Sequence, residues 1–275
     1  MTRLIEQDHE VYGWDIKSGR DLFKQSRWGF DVVYHLACVN QQAALKNPAN
    51  NLHVNAGGTH LMAKLCARYN SKLIYTSTAS VYGASDSIPT PVDADIKPQT
   101  DYAVAKLAGE YFVKNSGCDY EIYRLSNVFG PGQTLDNPYC GVIGRFIEQA
   151  LDGKPLTIVG KGTQTRDFTY IDDVIDILVR EKSANNFIRN ISTGIETSPL
   201  ALVAYLSEIM GKKLDVEYIA DRGIDGINRR RLITNERCPT PIYEGLEKTV
   251  EWFRAQPREG STNSSTAGRP TALSR

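Results

Sequence analysis

Tyr102 and Lys106 stand four residues apart in a stretch of helical character, which puts both side chains on one face, one turn apart. A free tyrosine titrates near about 10 and is a poor base at neutral pH. A neighbouring ammonium favours the phenolate and lowers that value. Such a pair can move a proton, although the same spacing also suits two surface side chains. Thr78 lies 24 residues before Tyr102, in the run TSTASVYG at 76–83. This run puts several hydroxyls just beyond an apolar segment. In an open parallel sheet, ligands bind outside the carboxyl ends of the strands. The bland alternative for the run is a Ser/Thr turn that caps local backbone.

Other chemistries find less support. Cys38, Cys66, Cys118, Cys140 and Cys238 show no zinc or redox spacing, and His9, His35, His53 and His60 form no ligand pair. No metal site is expected. An odd, scattered set of thiols suits a reducing cytosol. The 275 residues carry 32 basic and 32 acidic side chains and no net charge, with 41% hydrophobic and 23% charged residues. This is the balance of a soluble globular protein. It offers no charge excess to drive binding to nucleic acid. No apolar run approaches the roughly 18 residues of a membrane span, and charge comes too early in the chain for a signal peptide.

The elements that must position Tyr102 and Thr78 alternate. Residues 10–15, 31–37, 72–77 and 120–125 read as strands, and 51–69 and 102–115 as helices. Strand, helix, strand predicts parallel βαβ units with helices on both faces of the sheet. Beyond a turn at 130–132, helices are expected at 142–151, 172–182, 198–210 and 245–254. Strands are expected at 156–159, 168–171 and 190–192. Ser198 and Pro199 mark a helix start. Residues 257–275 are polar and aperiodic, the pattern of a disordered tail.

Taken in chain order, seven segments resemble one family, the extended short-chain dehydrogenase/reductases that include NAD-dependent sugar-nucleotide epimerases and dehydratases. They are DVVYHLA at 31–37, NAGGT at 55–59, TSTASVYG at 76–83, YAVAKLAGE at 102–110, RLSNVFGPGQ at 124–133, GTQTRDFTYIDDV at 162–174 and EGLEKTVEW at 244–252. The resemblance covers roughly residues 3–255. It implies an α/β fold: a Rossmann-like doubly wound parallel sheet with a smaller C-terminal α/β substrate-binding region. The NAD-binding part would be 1–130 with 167–195, and the substrate-binding region 131–166 with 196–256.

The resemblance also implies roles. Tyr102 would transfer the proton, Lys106 would bind the nicotinamide ribose and lower the tyrosine pKa, and Thr78 would bond the reacting sugar hydroxyl. Asp15 would grip the adenosine ribose, favouring NAD over NADP, and Asp21 and Leu22 would edge the adenine. Leu36, Ala37 and Cys38 would line the cofactor groove. Ser80, Asn127 and Arg166 would hold a nucleotide-diphosphate sugar. Arg229 and Arg230 are weaker candidates for a phosphate clamp, since the run 229–231 also suits a solvated charged face. A cytoplasmic homodimer is implied, paired through the helices at 55–69 and 102–115.

Departures from the pattern sharpen the expectation. The family opens with a strand and a Gly-x-x-Gly-x-x-Gly turn that offers backbone amides to the pyrophosphate. Here residues 2–11 resemble the second half of the following helix running into the second strand. A sheet lacking its central strand would leave two strands with unpaired edges, each buried amide costing about 1–3 kcal/mol. The span from 15 to 31 is short for a full strand and helix. After Thr78 stand Ala79 and Ser80, where members that eliminate water across carbons 4 and 6 carry Asp-Glu. Oxidation at carbon 4 and hydride return need no such carboxylates, which favours 4-epimerisation. The alternatives are another dehydratase or a reductase, or a truncated or degenerate member that binds a nucleotide or partner without turnover.

Overall fold

A computed structural model describes residues 1–16, 20–24, 28–133, 141–180, 185–220 and 227–257, without the Leu22 side chain. The expected tail beyond 257 and Cys140 lie outside the described residues. After α1 (Thr2–Glu6) and a 3-10 turn at Leu22–Lys24 come β1 (Val32–His35), α2 (Gln41–Lys46), α3 (Pro48–Asn51), a π-helical segment (Leu52–Gly58) and α4 (Thr59–Tyr69). Then follow β2 (Lys72–Thr78), a 3-10 turn (Ala79–Tyr82), α5 (Asp101–Lys114), β3 (Tyr120–Leu125) and β4 (Asn127–Phe129). The second half contains α6 (Val142–Leu151), β5 (Leu156–Val159), β6 (Thr165–Tyr170), α7 (Ile171–Val179), β7 (Phe187–Ile191) and β8 (Glu196–Thr197). It closes with α8 (Pro199–Met210), β9 (Val216–Ile219), β10 (Arg229–Arg230) and α9 (Ile242–Ala255).

Four parallel strands form the main sheet, in the order β1-β2-β3-β7. Strands buried on both faces read as apolar runs; residues 73–75 of β2 do, while β3 carries the buried charges Glu121 and Arg124 among its apolar side chains. On one face Met62, Ala63 and Cys66 of α4 and Val113 of α5 pack on Leu73, Tyr75 and Ile122. On the other, Val174, Ile177 and Leu178 of α7 pack on Ile74, Tyr123 and Ile191. The sheet is therefore doubly wound, a Rossmann-like α/β fold. A separate core lies in the second half, where Phe146, Ile147, Leu156, Leu202, Leu206, Leu246, Val250 and Phe253 gather around Phe129 and Tyr170.

Local chemistry sets the element ends. Thr100 caps α5 by accepting a hydrogen bond from the Ala103 amide at 3.2 Å. Ser198 caps α8 by accepting from Ala201 at 3.1 Å, with Pro199 in the first turn. Asn70 in the left-handed region ends α4, and Gly211 ends α8.

Two expectations fail in instructive ways. Residues 10–15 are not a strand. A strand needs a ladder partner, and β1 is the edge of the described sheet. The side chains of Tyr12 and Trp14 instead pack on Phe30, with ring centroids 5.6 and 5.1 Å away. Among the described residues the sheet consequently ends at β1 on this side and at β7 on the other, with no two strands facing each other across a gap. The long helix expected at 51–69 is also divided, with the π-helical segment Leu52–Gly58 between α3 and α4.

Candidate active site

The carboxyl ends of β2 and β3 open onto a cleft of about 180 Å³. Gln41, Thr78, Ala79, Ser80, Tyr102, Leu125, Ser126, Asn127 and Arg230 line it. Thr78 ends β2 in register with Leu125. Its hydroxyl accepts a hydrogen bond from the Ser80 amide at 3.1 Å, which starts the 3-10 turn and turns Ser80 into the cleft. Tyr102 sits in the first turn of α5, where the Thr100 cap fixes the helix start. Arg230 comes from the far half of the chain: β10 pairs in parallel with β6, and the guanidinium donates to the Ser80 hydroxyl at 3.4 Å.

Beneath this surface, polar side chains join the elements that carry it. Glu110 of α5 receives two hydrogen bonds from Arg124 of β3, at 2.9 and 2.7 Å. The Ser77 hydroxyl donates to Glu110 at 2.5 Å. Arg124 also donates to the Tyr82 hydroxyl at 3.0 Å and to the Val92 carbonyl at 2.9 Å. Tyr82 donates in turn to Asn190 of β7 at 2.7 Å, and Asn190 donates to the Ile233 carbonyl at 3.1 Å. All five side chains are buried. A paired, hydrogen-bonded charge is one that can be tolerated inside a fold.

The proton chemistry differs in one respect from expectation. Burial pushes the Tyr102 phenol well above its usual value, the nearby Cys38 thiol raises it further, and the Thr78 hydroxyl pulls it down. The Cys38 Sγ lies 3.9 Å from the Tyr102 hydroxyl. Lys106, expected to lower the tyrosine, is buried with its Nζ 4.3 Å from the centre of the Tyr75 ring. Its charge is felt at Tyr75 and at His35, whose pKa is lowered to about 3, first by burial and then by Lys106.

The remaining expected residues divide. Leu36, Ala37 and Cys38 follow β1 and are exposed at its carboxyl end, as a cofactor groove requires. Asn127 is exposed in the cleft. Arg166 stands beside Arg230 in register, its guanidinium donating to the Thr165 carbonyl at 2.9 Å, and does not line the cleft. Arg229 faces away, donating to Glu196 at 3.0 and 2.5 Å and holding that carboxyl down at about 2. Asp15 and Asp21 lie outside the cleft. Asp15 is exposed and on no strand, and the Asp21 carboxylate accepts from the Phe23 amide at 3.0 Å in a local turn. Leu22's side chain lies outside the described residues. Gln41, Ser126 and Tyr75 escaped the sequence reading. Gly109 could have pointed to Tyr75, because a glycine inside a helix is unfavourable by about 1 kcal/mol and signals a close approach.

The sequence model of the NAD dependent epimerase/dehydratase family matches residues 2–187. The chain belongs to that family. A UDP-glucose 4-epimerase of Mycolicibacterium smegmatis is 32% identical over 242 residues, covering 82% of this chain and 76% of the relative. The crystal structure of a UDP-glucose 4-epimerase from Thermotoga maritima, with UDP-glucose, aligns with a TM-score of 0.76 at 29% identity, over 82% of this chain and 77% of that one. A UDP-glucuronic acid 4-epimerase from Bacillus cereus, with UDP-glucuronic acid and NAD, aligns with a TM-score of 0.72 at 30% identity, over 82% and 75%.

The family's cofactor is NAD, and the residues present fit its nicotinamide end. The exposed segment 36–38 follows β1 and brings the Cys38 thiol to the Tyr102 phenol, with a buried lysine one helical turn further on. Among the described residues no glycine turn flanks β1 for the pyrophosphate. No helix among them is long and apolar enough to cross a membrane, and no cluster of three metal-ligating side chains occurs among them.

Proposed function

We propose that the chain acts as an NAD-dependent nucleotide-sugar 4-epimerase. The carrying observation is the composition of the cleft: Thr78, Ser80 and Tyr102 converge opposite Arg230, and no carboxylate lines it among the described residues. Elimination of water needs an acid and a base beside the ring. Epimerisation needs one proton-transfer group at the carbon-4 hydroxyl. Tyr102 takes that proton while Thr78 holds the hydroxyl in line. Arg230, with guanidinium geometry suited to phosphate, holds the diphosphate, and Asn127 and Ser80 bond the sugar flank. Lys106, with the groove at 36–38, holds the cofactor's nicotinamide ribose. Bound NAD supplies a reversible hydride acceptor.

The test is incubation of the full chain with NAD and UDP-glucose carrying deuterium at carbon 4. UDP-galactose that retains the deuterium supports the reading. A dehydrated keto sugar, or no product, sinks it. The open edge of β1 favours a second reading, in which a nucleotide binds without turnover. NAD binding with no exchange of the sugar would mark that case.

We further infer a division into a cofactor part (1–130 with 167–195) and a substrate part (131–166 with 196–256); the cluster around Phe146 and Phe253 supports a core on the substrate side, which Phe129, Phe168 and Tyr170 of the cofactor part join. A homodimer paired through α4 and α5 is supported by Tyr69, Val104 and Tyr111, large apolar side chains exposed on those helices. Thiols that form no disulfide among the described residues support a reducing, cytoplasmic setting.

A further inference from the structure

Lys106 presents a physical problem. Its side chain is only 2% exposed, and among the described residues it forms no salt bridge. The carboxylate one turn further on, Glu110, is held by Arg124 and Ser77. A buried ammonium is costly unless something replaces its water. What replaces it is Tyr75, whose ring centre lies 4.3 Å from Nζ and whose hydroxyl also meets the ammonium; burial raises the phenol pKa, and the ammonium pulls it down.

Tyr75 is itself tightly placed. It is fully buried on β2, three residues before Thr78, and its hydroxyl donates to the Lys106 carbonyl at 3.2 Å. The hydroxyl fits because α5 carries glycine at 109. A Cβ there would lie 2.3 Å from the Tyr75 oxygen and 2.8 Å from its ring carbon. His35 stacks on Tyr75 with centroids 5.7 Å apart at 17°, and its ring nitrogen pairs with the Thr59 hydroxyl at 2.9 Å. Held neutral, His35 adds no second cation.

We propose that Tyr75 is a positioning residue for Lys106: its ring seats the ammonium under the cleft floor, and Gly109 is the gap that admits the seat. The proposal rests on the epimerase reading for its functional consequence, but the seat itself does not. Its logic is electrostatic. A carboxylate partner would hold Lys106 equally well but would take up the donors and neutralise the charge that a cofactor ribose must meet. An aromatic face attracts the cation through its quadrupole and carries no net charge. The ammonium is thereby kept buried and oriented, with no counter-charge beside it among the described residues.

The test uses the full-length chain labelled with 13C and 15N at lysine. The ε-methylene signal of Lys106, assigned by its loss in Lys106→Arg, is expected to show the largest upfield ring-current shift among the lysines. Tyr75→Phe keeps the ring and should keep the shift. Tyr75→Leu should abolish it and lower kcat roughly threefold to thirtyfold, the range of a desolvated cation–π contact, with KM for the nucleotide sugar little changed. A Lys106 signal at the ordinary lysine position in the unmodified protein overturns the proposal. So does a Tyr75→Leu protein whose kcat per folded molecule is unaltered. If Tyr75→Leu does not fold, Gly109→Ala gives a second route. It should displace Tyr75 and move the Lys106 signal, and combination with Tyr75→Phe should restore it; a signal unmoved by Gly109→Ala overturns the role of the gap. Full turnover by Tyr102→Phe would refute the epimerase reading while leaving the ring-current result standing, so the two failures are distinguishable.

Discussion

Around Arg124, five buried polar side chains from β2, α5, β3, the 79–82 turn and β7 satisfy one another, each within 3.0 Å of a partner. Around Trp14, near the chain's start, the contacts are of another kind. Tyr12, Trp14, Trp28 and Phe30 touch ring to ring with centroids 5.1–6.3 Å apart, and all four are only partly buried. Among the described residues no ladder supports that flank, and β1 beside it is an edge. The frame under the reacting groups is directional and leaves its members one arrangement. The flank is adhesive and permits several. Reaction geometry demands the first kind of construction.

The comparison breaks most sharply at the chemistry. Tyr102→Phe removes the proton acceptor while keeping the ring, and turnover should fall by about 10²–10⁴, read from initial rates. Thermal stability should hardly move. Next is the frame. Arg124→Met strands Glu110 inside, and the loss should be about 3–5 kcal/mol in urea denaturation. Adding Glu110→Gln should cost less than the sum of the single losses, because the two act as one unit. If the pair were additive, the frame would be a collection of independent contacts.

A pH scan reaches the same sheet from another side. His35 is held neutral with its pKa at about 3, against an ordinary value of 6.5. The folded value is depressed, so below about 6.5 the unfolded chain takes up the proton first. Stability should be complete above that point and decline as pH falls toward 3, by a few kcal/mol in order of magnitude. His35→Gln should flatten this limb of the stability profile. The smallest effect belongs to the flank: Trp14→Ala should cost about 1 kcal/mol, the worth of its ring contacts. A loss as large as that of Arg124→Met would erase the contrast between the regions.

What the sequence made legible follows the range of the forces involved. Helix α6 begins and ends as its periodicity says, because an apolar stripe and a turn are local. Helix α8 is announced by Ser198 and Pro199 for the same reason. The Thr78, Ser80 and Tyr102 convergence was readable because parallel strands deliver their carboxyl ends to one side. Residues 10–15 misled because a strand is defined by its neighbour, and among the described residues none pairs with them. Arg229 and Arg230 could not be separated by eye. On a strand adjacent side chains point to opposite faces, so only Arg230 meets the cleft and Arg229 meets Glu196. Tyr75 was hidden in an apolar run, where nothing distinguishes a core ring from one that carries a cation.

The Arg124 guanidinium also grips the Val92 carbonyl, which lies outside the sheet in the segment between the 79–82 turn and α5. That grip works like a peg from which the segment hangs. Residues 84–88, on the near side of it, hold themselves by contacts of their own: Asp86 pairs with Lys97, and the Ser87 carbonyl accepts from the Thr90 hydroxyl at 2.8 Å. Lengthening the strap there is expected to spare the frame, because its anchor at Val92 lies beyond the insertion.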